Sequence, residues 1–192
     1  MIERSPERDA ALDLMLPLVP ARGWTLAALR EAAGDDADLL FPGGPVEMAE
    51  AWSDLADRRM EAGAALLGLE GQRLPARVRA VVALRLAQNQ PRKEAVRRAL
   101  GVLARPGATA ATARATARTV DAIWFAAGDQ AADFSWYTKR AILAGVYGGT
   151  LLRWLADRSE DSGPTLAFLD RRLADVARIG RARRRIGEAL GA

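Results

Sequence analysis

A chain of 192 residues without cysteine or histidine has no disulfide, no thiolate nucleophile and no cysteine-ligated metal, and it lacks the commonest general base and transition-metal ligand. Half of it is apolar and its net charge is only +4, yet the uncharged run Ala141 to Leu152 falls short of the roughly 20 residues a membrane-spanning helix needs. One domain is expected over 1–192, burying roughly 70% of the unfolded surface and large enough to hold a ligand cavity.

The opening residues, MIERSPERDAA, alternate charge where a secretory leader needs an apolar run, which leads to the expectation of a cytoplasmic protein. Apolar spacing is helical nearly throughout, so an all-α fold is predicted. Ser5-Pro6 reads as an N-cap followed by proline at the first helical position, with Ala11, Leu14, Met15 and Leu18 on one face. Thr25 caps a short helix over 26–33 that Gly34 stops, and a third short piece, 37–41, ends at Pro42-Gly43-Gly44-Pro45. These pieces, within 5–45, suggest a helix-turn-helix. Its charge argues against DNA: Glu31, Asp35, Asp36, Asp38, Glu47 and Glu50 occur with no basic residue among them, where a base-reading helix needs Lys and Arg against phosphates.

A bundle is predicted over 46–181, with helices near 46–69, 76–88, 92–104, 111–127 and 131–155 and a final long helix after Gly163-Pro164. Ala49, Trp52, Ala56, Met60 and Gly63 share one stripe, and Val120, Ile123, Trp124 and Ala127 another. Ala141, Ala144, Gly145, Gly148 and Gly149 permit close approach of a neighbouring backbone. Leu166, Leu169, Leu173, Val176 and Gly180 repeat at the spacing of a helix-helix seam. The last two helices are therefore read as a homodimer interface, an intramolecular hairpin being the alternative. Arg171, Arg172, Arg178, Arg181, Arg183, Arg184 and Arg185 outnumber Asp175, and Ile179, Ile186 and Leu190 lie between them. This basic stretch, with a tail at 182–192, is either a solvated face or a reversible contact with an anionic membrane surface.

Residues 126–150, AAGDQAADFSWYTKRAILAGVYGGT, carry the most information. Trp136 and Tyr137 are adjacent and point about 100° apart on a helix, so both cannot lie centrally on one buried face; one is expected to be a surface anchor. Asp129 is expected to cap or brace the loop. With Asp133, four residues on, it also makes a candidate carboxylate pair, but no histidine or obvious third ligand stands beside them.

The run AGDQAADFSWYTKRAILAGVY, with FLDRRLADVARIGRAR and, more weakly, LVPARGWTLAALREAAG, closely resembles the signature of the Coq-nine family of ubiquinone-biosynthesis lipid-binding accessory proteins. The resemblance implies a TetR-like all-α bundle with a vestigial N-terminal helix-turn-helix and a C-terminal helical dimer interface. It implies a homodimer that catalyses nothing, holds no cofactor or metal and binds no nucleic acid. Such a protein takes up an isoprenoid quinone precursor and presents it to the di-iron demethoxyubiquinone hydroxylase, Coq-seven. By position, the implied partner surface is Trp136 and Tyr137 with Ile123, Asp133, Phe134 and Arg140. The implied reversible membrane contact is Arg181, Arg183, Arg184, Arg185, Ile186 and Leu190, placing the protein on the inner face of the cytoplasmic membrane. Helical phase, not a motif, nominates Leu100, Leu103, Val120, Trp124 and Val146 as the lipid-binding lining. A TetR-type ligand-responsive transcription regulator is the alternative, and an enzyme acting alone through Asp129 and Asp133 a third reading.

Overall fold

The computed structural model describes the backbone of residues 2–129 and 136–190, and the side chains of 2–129 and 137–178. Among the described residues there are nine α-helices and no strand: α1 (Pro6–Met15), α2 (Val19–Arg22), α3 (Leu26–Ala33), α4 (Gly44–Ala64), α5 (Leu74–Asn89), α6 (Lys93–Leu103), α7 (Thr109–Ala126), α8 (Trp136–Ala156) and α9 (Gly163–Leu190). Short 3-10 turns at Asp35–Leu40 and Gln90–Arg92 join α3 to α4 and α5 to α6.

Ser5 Oγ accepts the Arg8 N–H at 3.2 Å and Pro6 opens α1, as a helix N-terminus with orphan N–H groups requires. The buried face of α1 is Ala11, Leu12 and Met15; Leu14, expected on that face, is 57% exposed because the face is turned by one residue. Thr25 caps α3 by accepting from the Ala28 N–H at 3.1 Å. The third piece is not an α-helix. Asp35–Leu40 is a single 3-10 stretch with Asp35, Asp36 and Asp38 in its first turn, held down by the buried Arg8. That guanidinium donates to the Leu40 carbonyl and to Glu47 at 2.7 Å, and it stacks 4.2 Å from the centre of the Phe41 ring. Where a regulator would carry a base-reading helix, this chain has a short acidic turn fastened to α1 and α4.

The helix α4 ends at Ala64, short of the predicted end near 69. Leu66 and Leu67 continue the apolar pattern but are exposed, in a turn that follows the cap at Ala65 and leads to Gly68 at a φ of +58°. On α4, Glu50, Asp54 and Asp57 fall at helical spacing and all are buried. Arg114 of α7 grips Glu50 with two hydrogen bonds at 3.0 and 2.8 Å. Arg118 stands 3.3 Å from Asp54 and 3.5 Å from Asp57, and Arg85 of α5 stands 2.6 Å from Asp57. The desolvation of such pairs offsets most of their attraction, so their main effect is to fix how α4, α5 and α7 meet, since a slip of one turn would leave buried charges unpaired.

Trp24 Nε1 donates to the Ala95 carbonyl at 3.0 Å and its ring lies 5.7 Å from that of Trp52, tying the N-terminal helices to the bundle. At the far end, Trp154 Nε1 donates to Gln90 Oε1 at 2.8 Å. The helices α8 and α9 pack on one another within the chain, Phe168 reaching to 3.6 Å of where a side chain on Gly149 would begin. The basic stretch is the continuation of α9, a helix of 28 residues and therefore roughly 42 Å long at about 1.5 Å per residue. Among the described residues no helix is long and apolar enough to cross a membrane.

Candidate functional site

Helices α4 to α8 enclose a cavity of about 360 Å³, within the range of small-molecule sites. Its wall is largely apolar: Ala49 and Trp52 from α4, Leu86 from α5, Val96, Ala99, Leu100 and Leu103 from α6, Ala115 from α7, and Ala144, Gly148 and Leu151 from α8. Alanines and a glycine at helical spacing create the space, because each short side chain leaves a gap that the neighbouring helix does not fill. Among the polar residues of the wall, which include Ser53, Asn89 and threonines of α7, Arg85 Nε donates to Tyr147 Oη at 2.8 Å. Behind it Thr119 Oγ1 donates to Asp57 at 3.1 Å, and burial pushes the Asp57 carboxyl up in spite of Arg85. One turn earlier burial also opposes ionisation of Asp54, but hydrogen bonds from Arg4 and Arg58 outweigh it and hold that carboxyl below its ordinary value.

Leu100 and Leu103 line this cavity, as helical phase nominated. The other three lining nominations do not. The residues of α7 that reach the cavity are Thr112, Ala115, Thr116 and Thr119, and those of α8 are Ala144, Tyr147, Gly148, Leu151 and Leu152. Val120 is one residue, about 100°, past that face and is buried in the core. Trp124 and Val146 instead line a second apolar groove of about 160 Å³ on the other side of α8, with Leu74, Val78, Leu143, Leu173 and Val176. Arg85 and Tyr147 were missed: nothing in the sequence marks one arginine among so many, and Tyr147 reads as an ordinary apolar-face residue.

Near the start of α8, Tyr137 is 78% exposed, the place the adjacency argument allows for one of the two aromatic residues. Trp136 opens α8, but its side chain, with Asp133 and Phe134, lies outside the described residues. Arg140 is ion-paired with Asp121 of α7, and Lys139 stands 3.5 Å from Asp129. These pairs fix the antiparallel meeting of α7 and α8. Asp129 is thus engaged by a cation, and its N–H donates to the Trp124 carbonyl at 3.1 Å. Ile123, nominated for this surface, is 0% exposed and lies in the core beneath it. The register places Phe125, one turn beyond Asp121, level with Tyr137, one turn before Arg140. Phe125 is 73% exposed and was overlooked, although the adjacency of Trp124 and Phe125 poses the same conflict of helical phase as Trp136 and Tyr137. The expected membrane-contact residues Arg181, Arg183, Arg184, Arg185, Ile186 and Leu190 lie on the last turns of α9, with side chains outside the described residues.

Comparison with known proteins agrees with this architecture. The COQ9 family model matches residues 109–180, from the start of α7 to within α9. The rat ubiquinone biosynthesis protein COQ9, mitochondrial, is 32% identical over 194 residues, covering 93% of this chain and 62% of the relative. The human protein of the same name is 32% identical over 198 residues, covering 93% of this chain and 61% of the relative. The chain therefore spans about three-fifths of the length of these curated relatives. The crystal structure of the TetR transcriptional regulator from Nitrosomonas europaea superposes with a TM-score of 0.72 at 24% sequence identity, covering 90% of this chain and 99% of that one; the likeness carries the fold alone. The relatives are named as mitochondrial proteins, which overturns the expected placement in the cytoplasm and on the inner face of the cytoplasmic membrane. The charge pattern of the opening residues does not locate a protein. The chain has a TetR-like all-α fold and resembles the COQ9 proteins in sequence along nearly its whole length.

Proposed function

We propose that this protein acts in ubiquinone biosynthesis as a non-catalytic carrier. It takes an isoprenoid quinone precursor into the cavity between α4 and α8 and hands it to the demethoxyubiquinone hydroxylase docked over the start of α8. The observation that carries the reading is the largely apolar cavity of about 360 Å³, in a chain whose relatives are named for ubiquinone biosynthesis. Burying each CH₂ of a lipid is worth roughly 0.8 kcal/mol against water but little against a bilayer, so uptake from a membrane is near balance and favours delivery over storage. The exposed apolar side of α8, with Ala141, Ile142, Gly145 and Leu152, supports pairing with a second copy. The basic end of α9 supports reversible contact with an anionic membrane surface, each arginine near it contributing about 1 kcal/mol.

Exposed aromatic residues beside arginine are the kind that anchor interfaces, and Tyr137, Phe125 and Arg140 meet that description here, with Trp136 proposed beside them. The test is capture of purified hydroxylase by the full chain and by Trp136→Ala/Tyr137→Ala and Phe125→Ala variants. Both variants are expected to lose capture by tenfold or more while their thermal unfolding stays close to that of the wild type. Undiminished capture by both would remove the docking face from this account.

A further inference from the structure

Along the contact of α4 with α7 the charges form a ladder. Arg114 holds Glu50 with two hydrogen bonds, and one turn on Arg118 stands 3.3 Å from Asp54. Two turns beyond that rung the same register brings Glu61 level with Phe125. Both line a polar pocket of about 210 Å³ between Arg4, α4 and α7. The acidic stripe of α4 thus runs on past the last arginine of α7, and an exposed ring stands where the next arginine would be.

The other charges of this pocket are already engaged. Asp54 accepts from Arg4 at 2.7 Å and from Arg58 at 3.1 Å, and Arg58 also holds Asp9. Arg118 stands between Asp54 and Asp57, and Asp121 pairs with Arg140. Among the described residues no cation lies at ion-pair distance from Glu61. It is partly buried, and burial together with the neighbouring Asp57 pushes its carboxyl up in spite of Arg4 and Arg58. The surroundings disfavour this carboxylate as it stands, and a cation brought to it from outside relieves that cost.

The wall of the pocket says which cation. Phe125 is 73% exposed at its edge, and an aromatic face suits a guanidinium, which stacks flat on the ring while its fork of N–H groups meets a carboxylate. The ring also belongs to the face over which the hydroxylase is proposed to dock, so the occupant arrives with that partner.

We propose that this pocket receives an arginine side chain of the docked hydroxylase, which stacks on Phe125 and pairs with Glu61 as the missing rung of the ladder. The inference rests on the docking face proposed above and adds the chemistry by which that face selects its partner.

The test measures the affinity of purified hydroxylase for the immobilised full chain as wild type, Glu61→Gln, Phe125→Leu and the double variant, at about 50 and 300 mM salt. Glu61→Gln keeps the shape and breaks no ion pair within the chain, so its thermal unfolding is expected to match the wild type. It is expected to weaken capture about tenfold at low salt and by less at high salt, because salt screens a charge pair at the rim of an interface. Phe125→Leu keeps an apolar side chain without the ring face and is expected to weaken capture about threefold. The double variant is expected to lose less than the product of the two, since one arginine answers to both residues. Capture by Glu61→Gln as tight as by wild type, a loss that is the same at both salts, or two effects that multiply overturns the arginine site and leaves the docking face standing. Failure of the wild type to capture the hydroxylase overturns both.

Discussion

Asp157, just past the end of α8, accepts from the Thr165 N–H at 3.1 Å and hydroxyl at 2.5 Å, and from the Ser159 N–H at 3.0 Å and hydroxyl at 2.7 Å. The Thr165 and Ser159 hydrogen bonds hold its carboxyl well below the usual carboxylate range. A carboxyl depressed on folding contributes stability that is complete above its unfolded value, about 3.9, and is lost as the pH falls toward the folded value. Asp157→Asn is therefore expected to destabilise the chain at pH 7 by about 1 kcal/mol, the scale of a lost cap. The gap from wild type should be unchanged at pH 5 and narrow at pH 3, below the unfolded value; a gap that is the same at pH 3 as at pH 7 would contradict the assignment. Single residues of this kind are hard to see beforehand. Capping by Ser5 and Thr25 is legible because the cap lies within three residues of the N–H it serves, whereas Asp157 binds a threonine across a turn and Arg85 meets Tyr147 across the bundle.

At the level of elements, helices were legible wherever the apolar pattern met a glycine or proline stop, as at the ends of α3 and α5 to α7. What periodicity does not give is absolute phase. An error of one residue turns a helix by about 100°, and that error carried Val120, Trp124 and Val146 away from the cavity and Leu14 out to solvent. The small residues of α8 show the same limit. Gly149 meets Phe168 inside the chain, but among the described residues nothing lies within 4 Å of where a side chain on Gly145 would begin. If a second copy covers that side of α8, Gly145→Arg blocks the approach while favouring the helix itself by roughly 1 kcal/mol. Sedimentation is expected to give a dimer for the wild type and a monomer of unimpaired thermal stability for the variant; a variant that remains dimeric would place the interface elsewhere.

For the molecule as a whole, the acidic turn at 35–40, the cavity and the exposed aromatic seam describe one division of labour. At its N-terminal end Arg8 ties the turn that carries Asp35, Asp36 and Asp38 to Glu47 of α4, and beyond it lie the cavity of the bundle and, on α7 and α8, the exposed Phe125 and Tyr137. The central claim is that the hollow carries an isoprenoid lipid. Its most direct test is mass spectrometry of an organic extract of the purified full chain and of Gly148→Leu. That substitution enters open space in the cavity wall, with nothing within 4 Å of the new Cβ, so it fills the hollow without disturbing the helix. The expected result is an isoprenoid quinone precursor in stoichiometric amount in the wild-type extract and its depletion in the variant. A wild-type extract without isoprenoid lipid, or an equal amount from both proteins, would contradict the account.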